Sequence, residues 1–303
     1  MGKLIRVLIL LSFFANTPTV FGQEDQFVDT VIETIEVANG IYMLVGQGGN
    51  IGASIGDDGI FLIDDQFAPL TEKIKIALSE ITVQPIKFMI NTHWHFDHTG
   101  GNENLGNEGV ILIAHDNVRK RMSTEGFIEA FNQAIPAASD VALPTITFSE
   151  TASFHLNNQS IEAIHVLNAH TDGDSVIFFR DSNVIHAGDV FFNGIYPFID
   201  KSSEGSINGM LRAVDLVLGL ADNNTRIIPG HGPLGNKRDL NNYRRMLMTV
   251  RNRMQDLIDE GKTIEEIIEL KPNADYDESW GQGFLNPETF LRILYSVMVP
   301  PTD

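Results

Sequence analysis

The chain has 303 residues, 43% of them hydrophobic and 20% charged, enough to bury a substantial core and too apolar for a disordered segment. A formal net charge of -19 makes its surface repel phosphate backbones and anionic headgroups, which excludes nucleic acid as a partner. Cysteine is absent, so there are no disulfides and no thiolate metal ligands.

Residues 1–22 carry Lys3 and Arg6, no acidic residue, and an apolar run over 7–15 that ends in small or apolar residues before Gln23. That is the pattern of a secretory leader, and the run is shorter than the ~20 residues that span a bilayer. The expectation is a secreted or periplasmic protein with no stable membrane anchor, its mature domain covering residues 23–303.

After the leader, "TIEVANGIYMLVG" and "NIGASIGDDGIFLIDDQ" predict strands paired through Asn39-Gly40 and Asp58-Gly59, with a Gly-rich link at 46–49. Residues 69–81 place Ile74, Ala77, Leu78 and Ile81 on one helical face, and "PIKFMI" then reads as a buried strand. Further strands are expected at "GVILIA", "ITF", "SIEAIHVLNA", "SVIFFRD", "NVIHAGD" and "TRIIPG", with a helix over 206–221. From Asp239 the spacing of Leu240, Tyr243, Leu247, Val250, Met254 and Leu257 predicts a long helix ending at Gly261. Residues 122–144 show no firm pattern and read as a lid or a connecting helix, and the tail from Ile264 reads as helical and acidic.

The strand-helix-strand unit delivers "NTHWHFDHTGG", residues 91–101, to a strand's C-terminal end, where α/β sheets place their sites. His93 and His95 are two apart, so an extended segment points both the same way toward one cation. Asp97 and His98 are adjacent and can turn to a neighbouring position. A single loop cannot close two coordination spheres, so more ligands are expected at later strand ends beside glycines. His170 in "NAHTDGDS", Asp189 in "IHAGDVFF" and His231 in "IIPGHGP" meet that description.

This ordered set resembles the metallo-β-lactamase superfamily, whose signature is His-x-His-x-Asp-His followed by a distant His, an Asp after Gly and a His in a Gly-His-Gly turn. The resemblance implies an α/β (α+β) fold, a four-layer αββα sandwich with the site along one edge. It implies that His93, His95 and His170 hold one zinc, that Asp97, His98 and His231 hold a second, and that Asp189 bridges them. Iron or manganese are the alternative metals. Two such ions ~3.5–4 Å apart bring the pKa of a shared water near neutrality. Asp97 is then the catalytic residue that orients the nucleophile, with no covalent intermediate.

Asp64 is a candidate to orient a ligand imidazole, and Asp174 and Ser175 to brace the His170 turn, against plain turn or capping roles. His115, His155, His165 and His186 fall outside the motif and read as structural. Substrate choice is less determined. Asp189 replaces the cysteine ligand of one β-lactamase subclass, and Phe192 stands where that subclass has a lysine for the drug's carboxylate. The ligand set is closer to glyoxalase II-like thioesterases, but the tail "TIEEIIELKPNADYDESW" lacks their basic character. The expected function is a β-lactamase-like zinc hydrolase of small cyclic amides, with antibiotic turnover as a main or side activity. Thioester or lactone hydrolysis is the close alternative, and a mono-iron persulfide dioxygenase a more distant one. The partner is a small molecule, and the residues leave the oligomeric state open.

Overall fold

The structure, a computed structural model, describes residues 25–299, and the expected leader lies outside them. The chain order begins β1 (Glu33–Ala38), β2 (Ile41–Val45), β3 (Ile51–Gly56), β4 (Gly59–Ile63), α1 (Thr71–Ser79), β5 (Ile86–Ile90), α2 (Phe96–Thr99), α3 (Asn102–Asn107), β6 (Ile111–His115) and α4 (Asp116–Met122). A small hairpin follows, β7 (Gly126–Ile128) and β8 (Gln133–Ile135), then β9 (Ile146–Phe148), β10 (Thr151–Leu156), β11 (Gln159–His165), β12 (Ser175–Phe179) and β13 (Val184–His186). The remainder is α5 (Ile207–Leu220), β14 (Arg226–Ile228), β15 (Gly235–Asn236), α6 (Lys237–Asp259), α7 (Ile264–Leu270), α8 (Asp277–Trp280) and α9 (Pro287–Met298).

Two large sheets result. One runs β1-β2-β3-β4-β5-β6-β9 and the other β10-β11-β12-β13-β14-β15. The hairpins expected in the first sheet are present: Gly40 takes φ 72° in the tight turn joining β1 to β2, and β2, β3 and β4 pair antiparallel. Strands β4, β5, β6 and β9 then run parallel, each return crossing through helix or loop.

Strand alternation builds the layers. On β4, Phe61 and Ile63 point at the opposite sheet while Ile60 and Leu62 meet Leu70, Ile74 and Leu78 beneath α1. On β12, Ile177 and Phe179 face the first sheet, and Val176 and Phe178 face α5, α6 and α9. Helices, sheet, sheet and helices therefore stack in four layers, as expected. Both strands are buried along their whole length, which explains their continuous apolar reading. Phe61 is fully buried between the sheets, and truncating such a side chain to alanine costs about 3–5 kcal/mol.

Helix ends follow their residues. Asn236 caps α6 by accepting from the amides of Arg238 and Asp239, which starts the helix two residues before the expected Asp239, and Gly261 at φ 78° closes it. Among the described residues no helix is long and apolar enough to cross a membrane. The sequence reading missed β10, although its Thr-Ala-Ser-Phe-His-Leu alternation is a clean strand signal, and it missed the β7–β8 hairpin.

Strands β4, β5, β11, β13 and β14 all end at one edge of the sandwich. The first two belong to one sheet and the last three to the other. The loops leaving these ends carry the chemistry.

Candidate metal centre

Beyond β5 the chain bends over Thr92–Trp94, and from an extended His95 it turns into α2, with His98 N donating to His95 O at 3.0 Å. This switch explains how one short motif aims at two places. Asn91 and Asn102 tie the loop shut: Asn91 Nδ2 donates to His98 O and to Asn102 Oδ1, both at 3.1 Å, and Asn102 Nδ2 returns a bond to Asn91 Oδ1 at 2.9 Å. His231 is placed from the opposite sheet and from the first. Asn193 N donates to its carbonyl, and Asn50 Nδ2 donates to Pro229 O and Gly232 O on either side of it, at 2.9 and 2.8 Å. Two glycines are demanded by close approach: a Cβ on Gly49 would fall on the His98 ring, and one on Gly230 on Asp189 Oδ1.

All seven side chains singled out in the sequence converge. Three overlapping donor sets lie within 4.8 Å: His93, His95 and His170; His93, His98 and Asp189; Asp97, His98 and His231. Asp189 sits between the outer two. Its Oδ1 lies 3.2 Å from His98 Nε2, and its Oδ2 lies 3.4 Å from His170 Nε2 and 3.5 Å from His231 Nε2.

Hydrogen bonds on the far side of each ring fix the tautomers. His170 Nδ1 donates to Phe198 O at 2.8 Å, and His95 Nε2 donates to Asp200 Oδ2 at 3.0 Å. His98 Nδ1 donates to Asp64 Oδ2 at 2.8 Å. Thr92 Oγ1 spends its proton on the same Asp64 oxygen, so His93 Nδ1 must donate to Thr92 at 3.1 Å. Each ring therefore aims a lone pair inward. His170 Nε2 and His95 Nδ1 face one another at 2.8 Å, while buried His93 Nε2 and Asp189 Oδ1 have no hydrogen-bond partner. Lone pairs facing at that distance repel unless a cation lies among them, so the donor set fits bound metal.

Charge agrees with that fit. Burial drives His93 well below the usual histidine range and His170 down to about 4, leaving both as neutral ligands. Burial also opposes charge on His231, but Asp189 and Asp97 outweigh it and hold His231 up at about 9. Burial pushes Asp97 upward, yet the imidazoles of His98 and His231 bring it down to about 2. One half of the site is ready for a cation; the other exchanges protons for one.

Asp64 occupies the position suggested for it. It ends β4 at φ 64°, an uncommon backbone for a non-glycine residue, and accepts from Thr92 N and Thr92 Oγ1, both at 2.7 Å, as well as from His98. Asp174 braces the His170 turn by accepting from His170 N at 2.6 Å and Thr171 N at 2.8 Å, and burial raises its carboxyl to about 8. Ser175 contributes its backbone, donating to Thr92 O. Of the histidines read as structural, His115 and His165 stack at 3.7 Å, and His186 bonds Asn50 O. Asp200 was missed. It lies in "IDKSS", without a distinctive pattern, and only the fold brings it to His95.

A cavity of about 430 Å³ opens over Asp97, Asp189 and His231. Residues 122–144 do not form one connecting helix. Their β7–β8 hairpin contributes Ile128, Phe131 and Gln133 to the cavity wall. The Gly-rich link at 46–49 contributes Gln47 to the wall, while its Gly49 amide donates to Asp97 O at 3.0 Å.

A family model for the metallo-beta-lactamase superfamily matches residues 54–263. A probable hydroxyacylglutathione hydrolase of Schizosaccharomyces pombe is 32% identical over 167 residues, which is 54% of this chain and 53% of that protein. The chain spans about half the length of the curated relatives it matches. Among solved structures, a metallo-beta-lactamase from Pontibacter korlensis superposes with TM-score 0.57 at 18% identity, over 72% of this chain and 99% of that one. The sec-alkylsulfatase Pisa1 from Pseudomonas sp. gives 0.64 at 18% identity, over 88% and 50%. At such identities the two structures share the fold alone.

Proposed function

The chain belongs to the metallo-beta-lactamase superfamily, and from that premise we propose that it is a two-zinc hydrolase of a small acyl substrate. The observation that carries this reading is the pair of donor sets joined through Asp189, with all seven donors converging and buried His93 Nε2 and Asp189 Oδ1 left without a hydrogen-bond partner. His93, His95 and His170 would hold one ion, Asp97, His98 and His231 the second, with Asp189 between. Divalent ions bound there supply the Lewis acidity that ionises water near neutral pH and polarises a carbonyl.

The chain's own residues do the rest. Asp97 keeps 22% of its side chain open to solvent, so its carboxylate can orient the attacking water. Asp64, Asp200, Thr92 and the Phe198 carbonyl hold the imidazoles in one tautomer and orientation, so little reorganises during reaction. Neither a serine nor a cysteine nucleophile is needed, so attack is direct.

Within this class we place esters and thioesters ahead of cyclic amides. Phe192 is fully buried and stacked on His231 at 5.3 Å, so no cation stands there to meet a β-lactam carboxylate. The curated relative named as a probable hydroxyacylglutathione hydrolase points the same way. The second donor set supports hydrolysis over mono-iron oxygenation, which would leave Asp97, His98 and His231 unused. The leader adds the proposal that the reaction takes place outside the cytoplasm.

Metal analysis of the purified chain, followed by assay on ester, thioester, lactone and β-lactam chromogens, tests the reading. The expected result is two zinc ions per chain and acyl hydrolysis that is lost on metal stripping. One iron per chain with oxygen uptake, and no hydrolysis above the stripped control, would overturn it.

A further inference from the structure

We infer that the cavity selects an uncharged acyl substrate carrying an aromatic group, a specificity that rests on the hydrolase reading above. Five phenylalanines line the cavity and arrive from five separate segments: Phe67, Phe96, Phe131, Phe198 and Phe284. Two of them, Phe198 and Phe284, lie against the candidate ligands themselves. Phe198 stacks on His95 at 5.7 Å and 27° and meets Phe131 at 4.7 Å. On another side Phe284 lies 6.0 Å from His231, and Phe67 and Phe96 pair at 5.8 Å. A ring held beside the reacting carbonyl would therefore meet ring faces and edges in the offset and tilted geometries that aromatic groups favour.

The charged groups of the wall are as informative. Its ionisable side chains are His95, Asp97, Asp189 and His231, all members of the donor sets; among the described residues no lysine or arginine lines it. A substrate carboxylate remote from the metals would be stripped of water against phenylalanine without a cation to pair with, which is strongly unfavourable. Its approach is opposed as well by a chain of formal charge -19. The nearby cations serve elsewhere. Lys201 and Arg292 line a separate hollow, with Arg292 paired to Glu265 and Glu288, and Arg121 is paired to Asp172. Gln47 and Gln133 are the uncharged polar groups left in the wall, able to orient an amide or carbonyl but not to neutralise an anion. The cavity volume suits a substrate of one or two rings' bulk, within the ordinary range for small-ligand sites.

The experiment places one acyl group on two thiols and compares kcat/KM on the zinc-loaded chain: phenylacetyl-N-acetylcysteamine, which is uncharged, and phenylacetyl-glutathione, which carries two carboxylates. The uncharged thioester should be favoured at least about tenfold, and phenylacetyl should outrun acetyl on the same uncharged thiol by a similar margin. Gln133→Arg should narrow the first ratio, and the F131A/F284A double variant should narrow the second. Equal or better turnover of the glutathione thioester, or no preference for phenylacetyl, overturns the inference while the hydrolase reading stands. If neither thioester is cleaved above the metal-stripped control, the hydrolase reading fails for thioesters and rests on the ester, lactone and β-lactam assays, and calorimetry with uncharged 4-phenyl-2-butanone then decides the inference. Its affinity should drop about tenfold in the double variant, and an unchanged affinity would overturn the aromatic selection.

Discussion

At the floor of the cavity His93, His95, His98 and His170 are buried, and each ring is held from behind by a partner 2.8 to 3.1 Å away. At the rim Phe131 and Phe284 are 42% and 55% exposed, and they hang from a hairpin of three-residue strands and from the loop before α9. The floor must hold donors against their mutual repulsion, so it is braced by hydrogen bonds that allow one geometry. The rim has only to offer apolar surface, so it is free to differ without disturbing the floor. Metal retention and substrate choice should therefore separate under mutation.

His98→Ala or His231→Ala tests the floor most severely. Either should lower metal content by about one ion per chain and hydrolysis more than about a hundredfold, beyond the usual loss of an outer partner. Gly49→Ala should behave alike, because its Cβ would occupy the place of the His98 ring. Two ions retained with full rate would show the second donor set to be misassigned. Asp64→Ala and Asp200→Asn act one step back. Metal affinity or activity should fall about 10- to 100-fold in each, read by competition with a chelator and by kcat/KM.

Rim substitutions sharpen the contrast from the other side. Phe284→Ala should alter relative rates among acyl groups while metal content stays unchanged and stability moves by no more than about 0.5 kcal/mol. A loss of metal in that variant would break the division between floor and rim.

The smallest effect concerns the stacked pair His115 and His165, which joins β6 to β11. Burial and then the charge of His115 hold His165 below the usual histidine value. The unfolded chain therefore takes up this proton more readily than the folded one. The resulting stability is present above about pH 6.5 and is lost as pH falls through the folded value. Only partly buried, His165 should give a modest slope. Melting temperatures of the wild type and His165→Gln should converge between pH 7.5 and 5, and a constant gap would show that the stack does not titrate this way.

The same division explains what could be read in advance. Floor residues were legible because metal chemistry restricts them to a few side chains at tight spacing, with Gly49 and Gly230 marking close approach. The hairpins of β1 to β4 were legible because short apolar runs are bounded by Asn39-Gly40 and Asp58-Gly59. Asp200 and the Phe198 carbonyl escaped because they act across distant loops, and a backbone oxygen carries no residue preference. The β7–β8 hairpin escaped because three-residue strands are too short for a period. Phe67, Phe96, Phe131, Phe198 and Phe284 are unremarkable singly and become a wall only when folding gathers them.

Four of the seven donors leave the first sheet and three leave the second. A nascent chain that has emerged only as far as its histidine-rich motif thus owns a hook without an eye. The first donor set closes only when His170 has emerged, and the second only with the Gly-His-Gly turn some 130 residues after the motif. An ion seated between them would work as a rivet through the seam of the sandwich, so depriving the protein of it should loosen the two halves from each other before either half loses its own hairpins.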